Sequence, residues 1–205
     1  YQSWIIIKLA GNFGNLLHVG CYFWATFHSL IMGQSASLYR IDKSDFSKIV
    51  DNPNDFELFR ITKGYEIFDK SFDGLQFVLA KGLDSESKNL IELIFSPTTF
   101  IGEEIDFDNL PDDIDLEKQP IYYNDPTKVS EICNLLDTIS LEKFQNDFDH
   151  NELNRQGIYP SDIWNEETAD NIAFNVRHMT IEFQNLKLIF KIAKENGEYL
   201  LSYVG

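Results

Sequence analysis

The chain has 205 residues, with 43% hydrophobic and 14% aromatic residues and only 11 Gly and 6 Pro, so it is neither a disordered tail nor a low-complexity chain and is long enough for a sizeable core. Thirty-three acidic side chains against 17 basic ones give a net charge of −16, which repels a phosphate backbone and excludes nucleic acid as an expected partner. The two cysteines, Cys21 and Cys133, show neither metal-ligand spacing nor a disulfide framework, as expected of a reducing compartment.

Residues 1 to 31 hold one charged side chain, Lys8, whereas residues 32 to 205 hold the other 16 basic and all 33 acidic ones, a net of −17. The uncharged run Leu16 to Ile31 has 16 residues, short of the roughly 20 that cross a bilayer. A basic n-region and a small-residue cleavage site, the marks of a signal peptide, are missing from it. We read residues 1 to 31 as an apolar extension that is upstream sequence, with a marginal membrane anchor as the alternative. Residues 32 to 205 form the domain. Met32-Gly33-Gln34-Ser35-Ala36-Ser37 also fits a short myristoylation pattern.

The domain opens on Ser37 to Ile41, which alternates like a half-buried strand; Ser44 is then placed to cap a short helix with Phe46, Ile49 and Val50 on one face, stopped by Pro53. After the Phe-rich stretch Phe56 to Ile61, Ser71 is placed to cap a second helix carrying Phe72, Leu75 and Leu79, widened by Phe77 and Val78 and terminated at Gly82. Leu90 to Phe95 fits a strand or a buried helix equally. Glu103, Glu104, Asp106, Asp108, Asp112, Asp113, Asp115 and Glu117 form a run with no basic residue before Lys118. Such density reads as a solvated loop or a partner-facing surface. A calcium loop would need a turn glycine where Leu110 and Pro111 stand.

Asp125-Pro126 is a helix start, and Val129, Ile132, Leu136 and Ile139 supply its apolar face. Ser140 starts a segment carrying Phe144 and Phe148. Asp149 with Glu152 resembles a capping box, and Gly157 ends that turn. Ile172, Val176, Met179, Phe183, Leu186, Phe190 and Ala193 predict one long helix closed by Asn196-Gly197. Glu198 to Val204 reads as a closing strand, with Tyr199, Leu201 and Tyr203 on one face and Leu200, Ser202 and Val204 on the other, and the chain holds no internal repeat.

No nucleophile elbow, phosphate-binding glycine loop or HExxH motif is present, and we expect no metal and no cofactor. His178 reads as a helix-surface partner of Glu182 four residues on, and Cys133 as core. Asp69, Lys70, Asp73 and Tyr159 are candidate ligand-binding residues, since the first three lie at a helix start, where amide groups favour an anion.

Strand, Asp69-Lys70 followed by an aromatic and an apolar helix, then Ile101-Gly102-Glu103-Glu104, Ile158-Tyr159-Pro160, a long helix and a closing strand: in this order the chain resembles the bacterial YfbM-like domain of unknown function, from about Met32 to Gly205. Members of that family usually carry Trp after Asp-Lys-x, often followed by His; here Phe72, Asp73 and Gln76 occupy the stretch. The resemblance implies a single compact α+β domain, bacterial and cytoplasmic, with a small mixed or antiparallel sheet packed by several helices, and it carries no established activity. The charge and the acidic run favour a protein-interaction module for a basic partner, as immunity proteins bind basic toxins. The alternative is a small-molecule-binding domain or enzyme with a pocket near Asp69, Lys70, Asp73 and Tyr159. A membrane would be a partner only through residues 1 to 31.

Overall fold

A computed structural model describes residues 34–53, 56–102 and 120–205. The readings of residues 1 to 31, and of the eight carboxylates from Glu103 to Glu117, lie outside the described residues. Five strands, β1 (Ser35–Ile41), β2 (Gly64–Asp69), β3 (Thr99–Ile101), β4 (Ile121–Asn124) and β5 (Tyr199–Val204), form one sheet in the order β2-β1-β5-β4-β3. Every pairing is antiparallel, which selects between the mixed and antiparallel sheets left open by the sequence. The C-terminal strand is central. Its consecutive residues Leu200 and Leu201 face opposite sides and are both fully buried, so the sheet is covered on two faces.

Eight helices are described: α1 (Lys43–Asp51), α2 (Leu58–Ile61), α3 (Phe72–Leu79), α4 (Ser85–Glu92), α5 (Pro126–Thr138), α6 (Leu141–Asp147), α7 (His150–Arg155) and α8 (Val176–Asn196). The larger core joins Ala36, Leu38, Phe68 and Leu200 of the sheet to Leu75, Ile132, Phe144, Phe183 and Phe190. On the other face Phe46 and Ile49 of α1 pack on Tyr39, Ile41 and Leu201, with the Phe46 ring stacked on Tyr199 at 3.7 Å. This is the α+β architecture expected, with the long C-terminal helix running into the closing strand. Among the described residues, no helix is long and apolar enough to cross a membrane.

Local signals set most helix ends. The Asp125 side chain accepts from the Lys128 N–H at 2.8 Å with Pro126 at the first helical position, a cap worth about 1 kcal/mol. Ser140 caps α6 in the same way. Gly197 closes α8 with φ of 65°, a left-handed conformation that glycine adopts without a Cβ clash.

Elsewhere the structure corrects the reading. Asp42, not Ser44, caps α1, and the Asp45 amide holds the Asp42 carboxyl down to about 2, helped by Lys63. Val50 is 49% exposed, because a short helix on a sheet buries only one stripe and Phe46 and Ile49 fill it. Ser71 occupies the N-cap position of α3 but makes no side-chain cap bond; its hydroxyl is used by Glu182. Asp149 caps α7, whereas Glu152 pairs with Lys81 instead of completing a capping box. The long helix starts at Val176, four residues after Ile172. There the Asn175 side chain accepts from the His178 N–H and donates to the Ile172 carbonyl. Leu90 to Phe95 spans the end of α4 and the turn after it. Cys133 is buried core, as expected.

Candidate functional site

Three of the four ligand candidates belong to one hydrogen-bonded corner at the end of β2. Lys70 turns the chain from β2 into α3 with φ of 57°, and its N–H donates to the Gln34 carbonyl at 3.1 Å. The Gln34 N–H in turn donates to the Tyr159 hydroxyl at 3.0 Å. One residue at the start of the domain thus ties Lys70 to Tyr159, and Asp69 precedes Lys70 at the exposed end of β2.

Tyr159 reaches this corner because its loop is pinned by Trp164. The Trp164 indole N–H donates to the Ile158 carbonyl at 2.9 Å, and its backbone exchanges two hydrogen bonds with the Asn154 amide. The ring lies on Gly74 of α3. A glycine inside a helix costs stability, so it points to a close approach. Gly74 was the signal in the sequence from which Trp164 could have been found.

The fourth candidate, Asp73, sits in the first turn of α3. It has neither a hydrogen bond nor an ion pair among the described residues, and burial holds its carboxyl above the usual range. Burial dominates here over the favourable dipole of the helix start.

Behind the corner, α8 supplies residues that the sequence did not single out as a site. The buried Ser71 hydroxyl donates to one carboxylate oxygen of Glu182 at 3.1 Å, while His178 Nε2 lies 3.6 Å from the other. His178 Nδ1 accepts from the Phe174 N–H at 3.1 Å, leaving the ring proton on Nε2, facing Glu182. Burial, with Arg177 adding to it, keeps this imidazole below its usual pKa. Serine and histidine therefore both serve the carboxylate, and the buried Ser71 is not poised as a nucleophile activated by His178. The Glu182 carboxyl is raised by burial and by the neighbouring charges of Glu66 and Asp69. Glu66, which accepts from the Asn185 amide at 3.0 Å, is raised by burial too.

Glu66 and Glu182 thus line a seam between the edge strand β2 and α8, and the exposed Asp69 at the end of β2 adds its charge near Glu182. Among the described residues none of them, nor Asp73, pairs with a lysine or arginine, whereas Asp45, Glu57 and Glu152 all do. Among the described residues no group of three His, Cys, Asp or Glu side chains is placed to hold a metal. A separate surface cleft of about 350 Å³ lies between α1 and α2 over Ile49, Phe56 and Ile61. Its rim charges are satisfied within the chain, Asp45 by Lys48 at 2.6 Å and Glu57 by Arg60 at 2.7 Å.

The acidic run from Glu103 to Glu117 joins β3 to β4. Since Ile101 pairs with Ile121, and β4 runs alongside β5 and β1 to β2, the flanking strand ends lie at the same end of the sheet as Asp69. Four strand spacings separate β3 from β2, roughly 19 Å.

A family model described as a domain of unknown function (DUF1877) matches residues 32–203. Among solved structures, the chain is similar to a protein of unknown function, YfbM, from Escherichia coli, at 11% identity with a TM-score of 0.51, covering 82% of this chain and 98% of that one. At this identity the likeness shows the fold alone, and it agrees with the resemblance read from the sequence. No curated protein matches.

Proposed function

This chain belongs to the DUF1877 family, a domain of unknown function, and for it we propose a role as a protein-interaction module that binds a basic partner at the carboxylate seam. The observation that carries the reading is the lack of a lysine or arginine partner, among the described residues, for Glu66, Asp69, Asp73 and Glu182. Glu66, Asp73 and Glu182 are half-buried, and half-buried carboxylates without cations are costly; lysines or arginines of a partner would offset that cost. The acidic run enters the same reading, since its flanking strand ends lie roughly 19 Å from the seam, too far for one small ligand but within one protein interface. An immunity-like role, in which the partner is a basic toxin, is one form of this reading.

The test is capture of partners by the immobilised full chain from an extract of its source organism, followed by association kinetics at two salt concentrations. The Glu66→Gln, Glu182→Gln double variant is expected to associate more slowly at low salt and to lose part of the salt dependence. Equal rates for both proteins would remove the reading's main support.

The second reading is a small-molecule site, favoured by the convergence of Lys70 and Tyr159 on Gln34 beside Asp69. It requires a ligand that raises the melting temperature of the chain and fails to do so for Tyr159→Phe and Asp73→Asn.

A further inference from the structure

We infer that the outer edge of β2 accepts an extended strand of the basic partner, one that alternates apolar with basic side chains, an inference that rests on the interaction reading above. β2 is a terminal strand. Lys70 donates to Gln34 at the next position of the β1 register, so the even-numbered residues of β2 turn their backbone groups to β1, and Tyr65, Ile67 and Asp69 turn theirs outward. Among the described residues nothing pairs with that outer side. Edge strands are ordinarily blunted by lysine, proline or a covering element; the strand itself, Gly64 to Asp69, contains neither lysine nor proline.

The side chains flanking the edge differ on its two faces. On the α1 side Tyr65 and Ile67 are 50% and 47% exposed, and Phe59, 72% exposed, lies edge-on to Tyr65 at 6.0 Å. On the α8 side Glu66 is held by Asn185, and Ile181 and Leu188, four residues before and three after Asn185, share its helix face and are exposed. Five of the eight large exposed hydrophobic residues among those described thus border this one edge. A strand added here would place apolar side chains against Tyr65, Ile67 and Phe59, and basic ones against Glu66 and Glu182. A second copy of this chain fits poorly, since it would double the unpaired carboxylates of the seam and join two molecules of net charge −16.

The experiment uses the full chain and a seven-residue peptide of alternating lysine and valine, acetylated and amidated. A second peptide of the same sequence is N-methylated on its valines, the residues that would lie opposite Tyr65 and Ile67, so that it keeps its charge but cannot donate to β2 as an antiparallel strand. The unmethylated peptide is expected to bind at least tenfold more tightly than the methylated one and to slow amide exchange at Tyr65 and Ile67. Ile67→Lys should abolish that difference while its cooperative unfolding is retained. Equal binding of the two peptides would overturn strand addition and leave the basic-partner reading standing. No binding of either peptide at low salt, together with no basic protein captured, would overturn both. A dimer in sedimentation equilibrium that Ile67→Lys dissociates would assign the edge to a second copy and overturn the inference.

Discussion

Gly74 lies directly beneath the Trp164 indole: a Cβ built on the glycine would fall 2.2 Å from Cη2 and 2.7 Å from Cζ2 of the ring. The indole has little room to retreat, because its N–H is held by the Ile158 carbonyl while two hydrogen bonds with the Asn154 amide fix the Trp164 backbone. Gly74→Ala would gain about 1 kcal/mol of helix propensity, but the overlap must be relieved by shifting a buried ring. We expect net destabilisation of about 1–3 kcal/mol, read by urea titration. A stabilised variant would show that the Trp164 loop is loosely held.

Phe183 is fully buried at the middle of α8, stacked on Phe144 at 4.7 Å. Phe183→Ala removes that contact and leaves a cavity between helix and sheet, an expected loss of about 3–5 kcal/mol. Chemical denaturation measures it, and a loss below about 1 kcal/mol would contradict the packing described.

The raised carboxyls of Asp73 and Glu182 give stability a definite pH slope. A folded-state pKa above the unfolded value means that the native chain binds more protons, so stability falls as pH rises from the unfolded value through the raised folded one. The lowered His178 acts on the opposite side, its contribution being lost as pH falls below about 6.5, where the unfolded ring gains a proton first. Asp73→Asn should therefore be at least as stable as the original at pH 7, with the difference shrinking as pH falls towards 4. Unfolding curves at pH 4.5 and pH 7 decide it; a variant clearly less stable at pH 7 would mean that the charged carboxylate has a partner.

The acidic run is expected to act on encounter. Replacing Asp112, Asp113 and Asp115 with Asn should slow association with a basic partner and flatten its salt dependence, with dissociation nearly unchanged. Stopped-flow mixing at two salt concentrations distinguishes this from a solvated loop, for which the rates would not change.

A chain beginning at Met32 is expected to keep a cooperative thermal transition, since residues from Ala36 to Leu201 already build both described cores. Calorimetry checks it. Loss of the transition would place residues 1 to 31 in the fold.

Features determined within a few residues were legible in the sequence: the stripe of α8, the Asp125, Ser140 and Asp149 caps, the Gly197 stop and the two faces of β5. Each depends on hydrogen bonds or side-chain periodicities that close within one or two helical turns or along a single strand. β2 was hidden because its alternation is inverted by its place at the edge, with Glu66 on the helix side and Tyr65 and Ile67 half exposed. β3 and β4 are three and four residues long, too short for a period to show, and they are strands because β5 lies beside them. The site divides along the same line. Asp69, Lys70, Asp73 and Tyr159 could be picked out as residue types, but Gln34 joins Lys70 to Tyr159 only when β1 and β2 pair and Trp164 pins the loop. The seam requires Ser71 and Glu66 to meet Glu182 and Asn185, more than a hundred positions later. Contacts over that distance are fixed by how α8 packs against the sheet, and no local pattern encodes them.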